Sequence, residues 1–135
     1  MRLRNVIGAS EKISNSLAVI NEPFLYRGKY KEIFNNNNPI HLEIGTGKGD
    51  FIINMALKYP DINFIGIEKY DSVLIRAVEK IKEPIKNLRF IKIDALEIEK
   101  IFNQEIEKIY LNFSDPWPKN RHENRRLTNI NFLNK

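Results

Sequence analysis

Ile40-His41-Leu42-Glu43-Ile44-Gly45-Thr46-Gly47-Lys48-Gly49 opens with apolar residues at every second position and closes with three glycines in five residues. The alternation of Ile40, Leu42 and Ile44 predicts a β-strand, and the glycines predict a tight turn leaving it. Phe51, Ile52, Met55, Ala56 and Tyr59 then recur at helical spacing. The hydrophobic period therefore switches from strand to helix across the turn, which is the start of a strand–helix crossover.

Working downstream, Pro60-Asp61 breaks that helix and residues 63–67 read as a second strand. Asp71 is expected to cap a helix with the stripe Val73, Leu74, Ala77, Val78 and Ile81, ended by Glu83-Pro84. A third strand is expected over 88–93, a short helix over 96–102 and a fourth strand over 106–113. Strands alternating with helices predict right-handed parallel crossovers, hence an α/β fold with a doubly wound, mostly parallel sheet flanked by helices. The Ile-rich strands suit a sheet covered on both faces. Leu127, Ile130, Phe132 and Leu133 read as the opening of a further helix with nothing to pack on, so the sheet is expected to be incomplete at its C-terminus and the chain to be a piece of a longer protein.

Upstream, residues 1–39 read as a basic arm with a short helix over 26–34, closed by the asparagines at 35–38 and Pro39. The expected division is an arm, 1–39, and a ligand-binding domain, 40–135. At 135 residues and 42% hydrophobic content, one core is expected. The absence of cysteine removes disulfides and thiolate metal sites, and no apolar leader or run near ~18 residues is present, so a cytoplasmic, non-membrane protein is expected. His41 and His122 are far apart and give no metal-ligand spacing, so no metal is expected.

The net charge of +5 is unevenly placed. Residues 1–32 carry six Lys/Arg against three acids, 33–118 carry eleven against thirteen, and 119–126 carry four against one. Basic ends around a slightly acidic middle point to a phosphate-rich partner gripped by the ends.

Four acids fall at the expected strand ends, where open parallel sheets bind ligands: Glu43, Glu68, Asp94 and Asp115. The turn at Gly45 and Gly47 is not a dinucleotide fingerprint, because Asp50 occupies the third glycine position, and not a P-loop, because Lys48 precedes Gly49. Acids beside a glycine bend without a phosphate motif suit a ligand bearing an ammonium, a sulfonium and a ribose diol. The bland alternative for each acid is a helix cap or a solvated turn. Beyond the fourth strand, Asn112-Phe113-Ser114-Asp115-Pro116-Trp117-Pro118-Lys119 sets a carboxylate and the only indole between prolines, and Arg121, Arg125 and Arg126 follow. Trp117 offers a stacking face for an unstacked base, and the cations read as phosphate contacts. For Trp117 the alternative is ordinary burial, and for the cations a solvated helix start.

These segments, with Arg2-Leu3-Arg4, Arg27-Gly28-Lys29-Tyr30, Phe64-Ile65-Gly66-Ile67-Glu68, Asp94-Ala95 and Arg125-Arg126-Leu127-Thr128, closely resemble the tRNA (guanine-N(7)-)-methyltransferases. The resemblance covers essentially the whole chain, and its last block is the most specific part. It implies a Rossmann-like class I fold, S-adenosyl-L-methionine as cofactor and tRNA as partner, with a monomer or homodimer left open. It also implies cofactor contact by Glu43, Gly45, Gly47, Glu68, Asp94 and Asp115, a catalytic Asp115, and substrate contact by Trp117, Lys119, Arg121, Arg125 and Arg126. Guanine N7 has a lone pair and no proton, so the chemistry needs alignment rather than a base. The rival readings are an adenine or cytosine amino-group methyltransferase, and a truncated RNA- or cofactor-binding remnant without catalysis.

Overall fold

Strand β1, Ile40–Ile44, lies between two neighbours in a four-stranded parallel sheet, and a computed structural model of the chain describes this sheet within residues 16–111. The other strands are β2 (Asn63–Glu68), β3 (Leu88–Lys92) and β4 (Lys108–Leu111), in the order β3-β2-β1-β4. The chain winds outward from β1 through β2 to β3 and then returns to β1's other side. Position β1/β4 is therefore the switch point, the place at the carboxyl ends of the strands where open sheets of this kind bind ligands. In the register Ile44 pairs with Ile67 on one side and with Leu111, the last described residue of β4, on the other.

Side chains divide cleanly between the faces. Leu42, Ile65, Ile91 and Ile109 point to one face, where helix α1 (Tyr30–Phe34) and α4 (Ile98–Ile101) cover them with Tyr30, Phe34, Ile98 and Ile101. Phe64 and Phe90 point to the other, packed by Ile52 and Ala56 of α2 (Asp50–Lys58) and Leu74, Ile75 and Ala77 of α3 (Asp71–Lys80). Leu42, Ile65 and Ile91 are fully buried, each worth roughly 1.5–3 kcal/mol.

The segment before Pro39 shares this core. Val19 bridges to Phe90 as a short parallel addition beyond β3, and the Tyr30 hydroxyl, inside the core, donates to the Pro23 carbonyl at 2.8 Å. The helix expected over 26–34 is split. Pro23–Tyr26 forms a 3₁₀ turn, Gly28 takes φ +80°, and α1 starts only at Tyr30. The cause is distant in sequence: the Glu105 carboxylate accepts from the backbone N–H groups of Gly28 and Tyr30 and draws them onto the loop entering β4.

Other element ends also differ from expectation. Tyr70, not Asp71, is the residue before α3; Asp71 is its first helical residue and pairs with Lys92 across the β3 end. The helix stops at Lys80, because Ile81 turns extended and donates to the Val78 carbonyl. Strand β4 begins at Lys108 rather than 106. Residues 1–15 and 112–135, including the end of the expected fourth strand, lie outside the described residues. Among those described, no helix is long and apolar enough to cross a membrane.

Gly49 is the residue that lets α2 and α3 meet. Its φ is +83°, and a Cβ there would fall 2.6 Å from the Ala77 Cβ. Gly49→Ala is expected to cost about 3 kcal/mol, from left-handed strain and overpacking together. Urea denaturation checks this; an unchanged midpoint would mean the two helices do not close on this glycine.

Candidate active site

The turn from Gly45 to Gly49 hangs from the end of β2. The N–H groups of Gly45 and Thr46 both donate to the Ile67 carbonyl, at 2.8 and 3.2 Å, and the Gly47 N–H donates to Glu68 Oε1 at 3.0 Å. The Gly49 N–H returns to the Thr46 carbonyl. Gly66 makes this closeness possible: a Cβ there would sit 2.5 Å from Thr46 Cγ2 and 3.1 Å from both Ile52 Cδ1 and Phe90 Cδ1. Gly47 is different. Its φ is +57°, yet a Cβ would meet nothing within 4 Å, so the turn has open space on that side.

Glu68, 8% exposed, is the organising acid. Besides Gly47, its Oε2 accepts from the N–H groups of Lys69 at 3.0 Å and Tyr70 at 3.2 Å. One carboxylate thus joins the glycine turn to the β2–α3 connection, using three of roughly four acceptor positions. Sequence reasoning read Glu68 as a ligand contact, with a helix cap or solvated turn as the alternative, and missed the bond to the glycine turn, because the partner at Gly47 is 21 residues away.

Glu43 and Glu68 occupy successive levels of one face, and Asp94 follows the end of β3. Glu43 is level with Gly66 and Phe90 in the sheet register. Glu68 lies two residues further along, and Asp94 two residues beyond Lys92, its own neighbour's level. Each two-residue step is roughly 6.6 Å. Glu43 is 1% exposed, deep on the side of the sheet that α2 covers. Asp94 is half-buried: its Oδ1 accepts from the Leu96 N–H at 3.0 Å, capping the 3₁₀ turn Ala95–Glu97, and Oδ2 lies 3.6 Å from Lys69 Nζ. The Leu96 N–H first, then Lys69, hold the Asp94 carboxyl below its usual range. Its capping contribution is therefore present above the ordinary carboxylate range and fades as pH falls through the lowered value.

The three described acids and the glycine turn thus share the carboxyl side of the sheet, at three depths rather than in one row. Asp115, Trp117, Lys119, Arg121, Arg125 and Arg126 lie outside the described residues. The last described residue before them, Leu111 of β4, pairs with Ile44, the residue just before Gly45. Among the described residues no cluster of three or more His, Asp or Glu could hold a metal ion. A turn with free space over Gly47, acids at three levels and no phosphate motif suits a ligand with hydroxyls, an amine or positive charge.

Residues 37–135 match the model of a family described as putative methyltransferase. The chain belongs to this putative methyltransferase family. Relatives with the name tRNA (guanine-N(7)-)-methyltransferase include one from Lachnoclostridium phytofermentans, 55% identical over 98% of this chain, and one from Lysinibacillus sphaericus, 52% identical over 98%. A third, from Bacillus licheniformis, is 50% identical over the whole of this chain. The chain spans 63% of the length of the first two and 65% of the third. A solved structure described as an antibiotic-related methyltransferase superposes with a TM-score of 0.62 at 22% identity, over 78% of this chain and 57% of that one. That likeness shows the methyltransferase-type α/β fold.

Proposed function

We propose that this member of the putative methyltransferase family takes part in methylating N7 of a guanosine in tRNA with S-adenosyl-L-methionine. The observation that carries the reading is identity of 50–55% with enzymes of that name, running over 98–100% of this chain. The open side of Gly47 and the acids around it supply a chemically matching place for the cofactor. When bound, S-adenosylmethionine supplies a methyl group made electrophilic by its sulfonium.

The glycine turn, Glu43, Glu68 and Asp94 would hold this group, Glu68 through its remaining acceptor position and Asp94 by exchanging Lys69 for a ligand amine. Asp115 orients the reacting partners, Trp117 stacks on the unstacked guanine, and Lys119 with Arg121, Arg125 and Arg126 holds the neighbouring phosphates. Guanine N7 has no proton to lose, so these residues work by alignment and charge placement.

The test is incubation of the protein with bulk tRNA and methyl-labelled S-adenosylmethionine, followed by nucleoside analysis. Label in N7-methylguanosine is expected. Label in a methylated amino group of adenine or cytosine would replace the reading with the rival chemistry.

A further inference from the structure

A second basic surface lies on the flank of α3, within the stretch of sequence whose overall charge is slightly acidic. Lys48 from the glycine turn and Arg76, Lys80 and Lys82 from the α3 end line one open cleft of about 670 Å³, with Glu79 as its acidic lining residue. Arg76 and Lys80 are one turn apart on the helix, about 6 Å along its axis. Lys80 is engaged by Asp50. Lys69, Lys92 and Lys100 elsewhere are likewise paired with carboxylates. Lys48, Arg76 and Lys82 are exposed and have no ion-pair partner among the described residues.

Two features set this cluster apart from a solvated helix face. Its cations come from elements separated in sequence by some 28 positions, brought together where Gly49 packs on Ala77. It also adjoins the turn beside which a target nucleotide must be presented, so a chain crossing the site can reach it without leaving the protein. We infer that Lys48, Arg76 and Lys82 form a track for the tRNA phosphate backbone flanking the target guanosine. Its residues are distinct in sequence from the Arg cluster at 121–126, and the inference rests on the tRNA reading above. Such contacts fix the register of the RNA and carry no base information. Each phosphate neutralised adds to the salt dependence of binding.

The test measures tRNA affinity across a salt series for the unaltered protein and for the double variant Arg76→Gln with Lys82→Gln. Loss of two contacts is expected to weaken binding roughly tenfold and lower the slope of log affinity against log salt by about 1.5. S-adenosylmethionine affinity and the thermal transition should stay unchanged, because both side chains are exposed and have no ion-pair partner among the described residues. The charge-preserving pair Arg76→Lys with Lys82→Arg should keep the slope. Affinity and slope unchanged in the Gln variant, while the unaltered protein binds and methylates tRNA, would overturn the track alone. An unaltered protein that binds no tRNA would overturn the track and the functional reading together. Weakened adhesion to vesicles of anionic phospholipid with tRNA binding intact would overturn the track in favour of a membrane surface.

Discussion

Glu68→Ala is expected to lower stability by about 2–3 kcal/mol and to weaken S-adenosylmethionine binding at least tenfold. The stability loss follows from the three backbone N–H groups, of Gly47, Lys69 and Tyr70, that end on this one carboxylate. A hydrogen bond to a charged group contributes about 1.5–3 kcal/mol, and several donors orphaned together lose more than one such bond, offset where water reaches them. Water has little access here, since Glu68 is nearly buried. The affinity loss follows from the released turn: Gly47 would no longer be held in the left-handed conformation that leaves its outer side open. Glu68→Gln keeps the shape and one acceptor oxygen, so about half of each effect is expected to remain. Urea denaturation and equilibrium dialysis check both numbers. Lost stability with full cofactor affinity would make Glu68 a scaffold residue only; lost affinity with full stability would make it a ligand contact only.

Asp115→Ala is expected to slow methyl transfer by at least about a hundredfold while tRNA affinity stays within about tenfold. A hundredfold corresponds to about 2.7 kcal/mol of transition-state stabilisation, the range that one well-placed orienting or electrostatic group supplies. Asp115 is four residues after Leu111 in sequence, and Leu111, the last described residue of β4, pairs with Ile44, just before the glycine turn. The described end of β4 lies at the switch point, where ligands of this architecture bind. In the proposed reading RNA affinity rests on cations rather than on Asp115, so losing one carboxylate should leave it largely intact. Single-turnover methylation and filter binding separate the two effects. A retained rate would remove Asp115 from the chemistry.

The strand–turn–helix at Ile40 was legible because the hydrophobic period changes there and the glycines mark the change. β2 and β3 were legible for the same reason, as short Ile- and Phe-rich runs between breakers. What stayed hidden depends on residues far apart in sequence. Glu105 splits the first helix by capturing Gly28 and Tyr30, more than 70 positions earlier. The asparagines at 35–38 read as a mere breaker. In the fold Asn35 closes α1 in a left-handed conformation, while Asn36 and the Asn38 carbonyl receive the buried Asn63 side chain, whose Nδ2 donates to Asn36 Oδ1 at 2.7 Å. Asn87 carried no signal at all, yet its Nδ2 donates to the carbonyls of Ala56 and Ile62 and ties the end of α2 to β3.

At the site, chemistry type was readable and depth was not. Acids at predicted strand ends marked the ligand side, but only the register reveals that Glu43 lies two residues below Glu68. Pairing across strands has no local sequence signal. The basic flank of α3 was also obscured, because averaging charge over 33–118 cancels acids on one surface against cations on another.

The wiring of the glycine turn has an electrostatic corollary. Four of its amides, at Gly45, Thr46, Gly47 and Gly49, already donate inward. An anion approaching from the crevice therefore meets committed donors and a tier of carboxylates, whereas the Lys48 side chain faces the cationic flank. On the proposed reading the bend would act as a watershed: polyphosphate would be turned away from the inner slope and drawn down the outer one, so two ligands of opposite charge would share a single loop without competing for it.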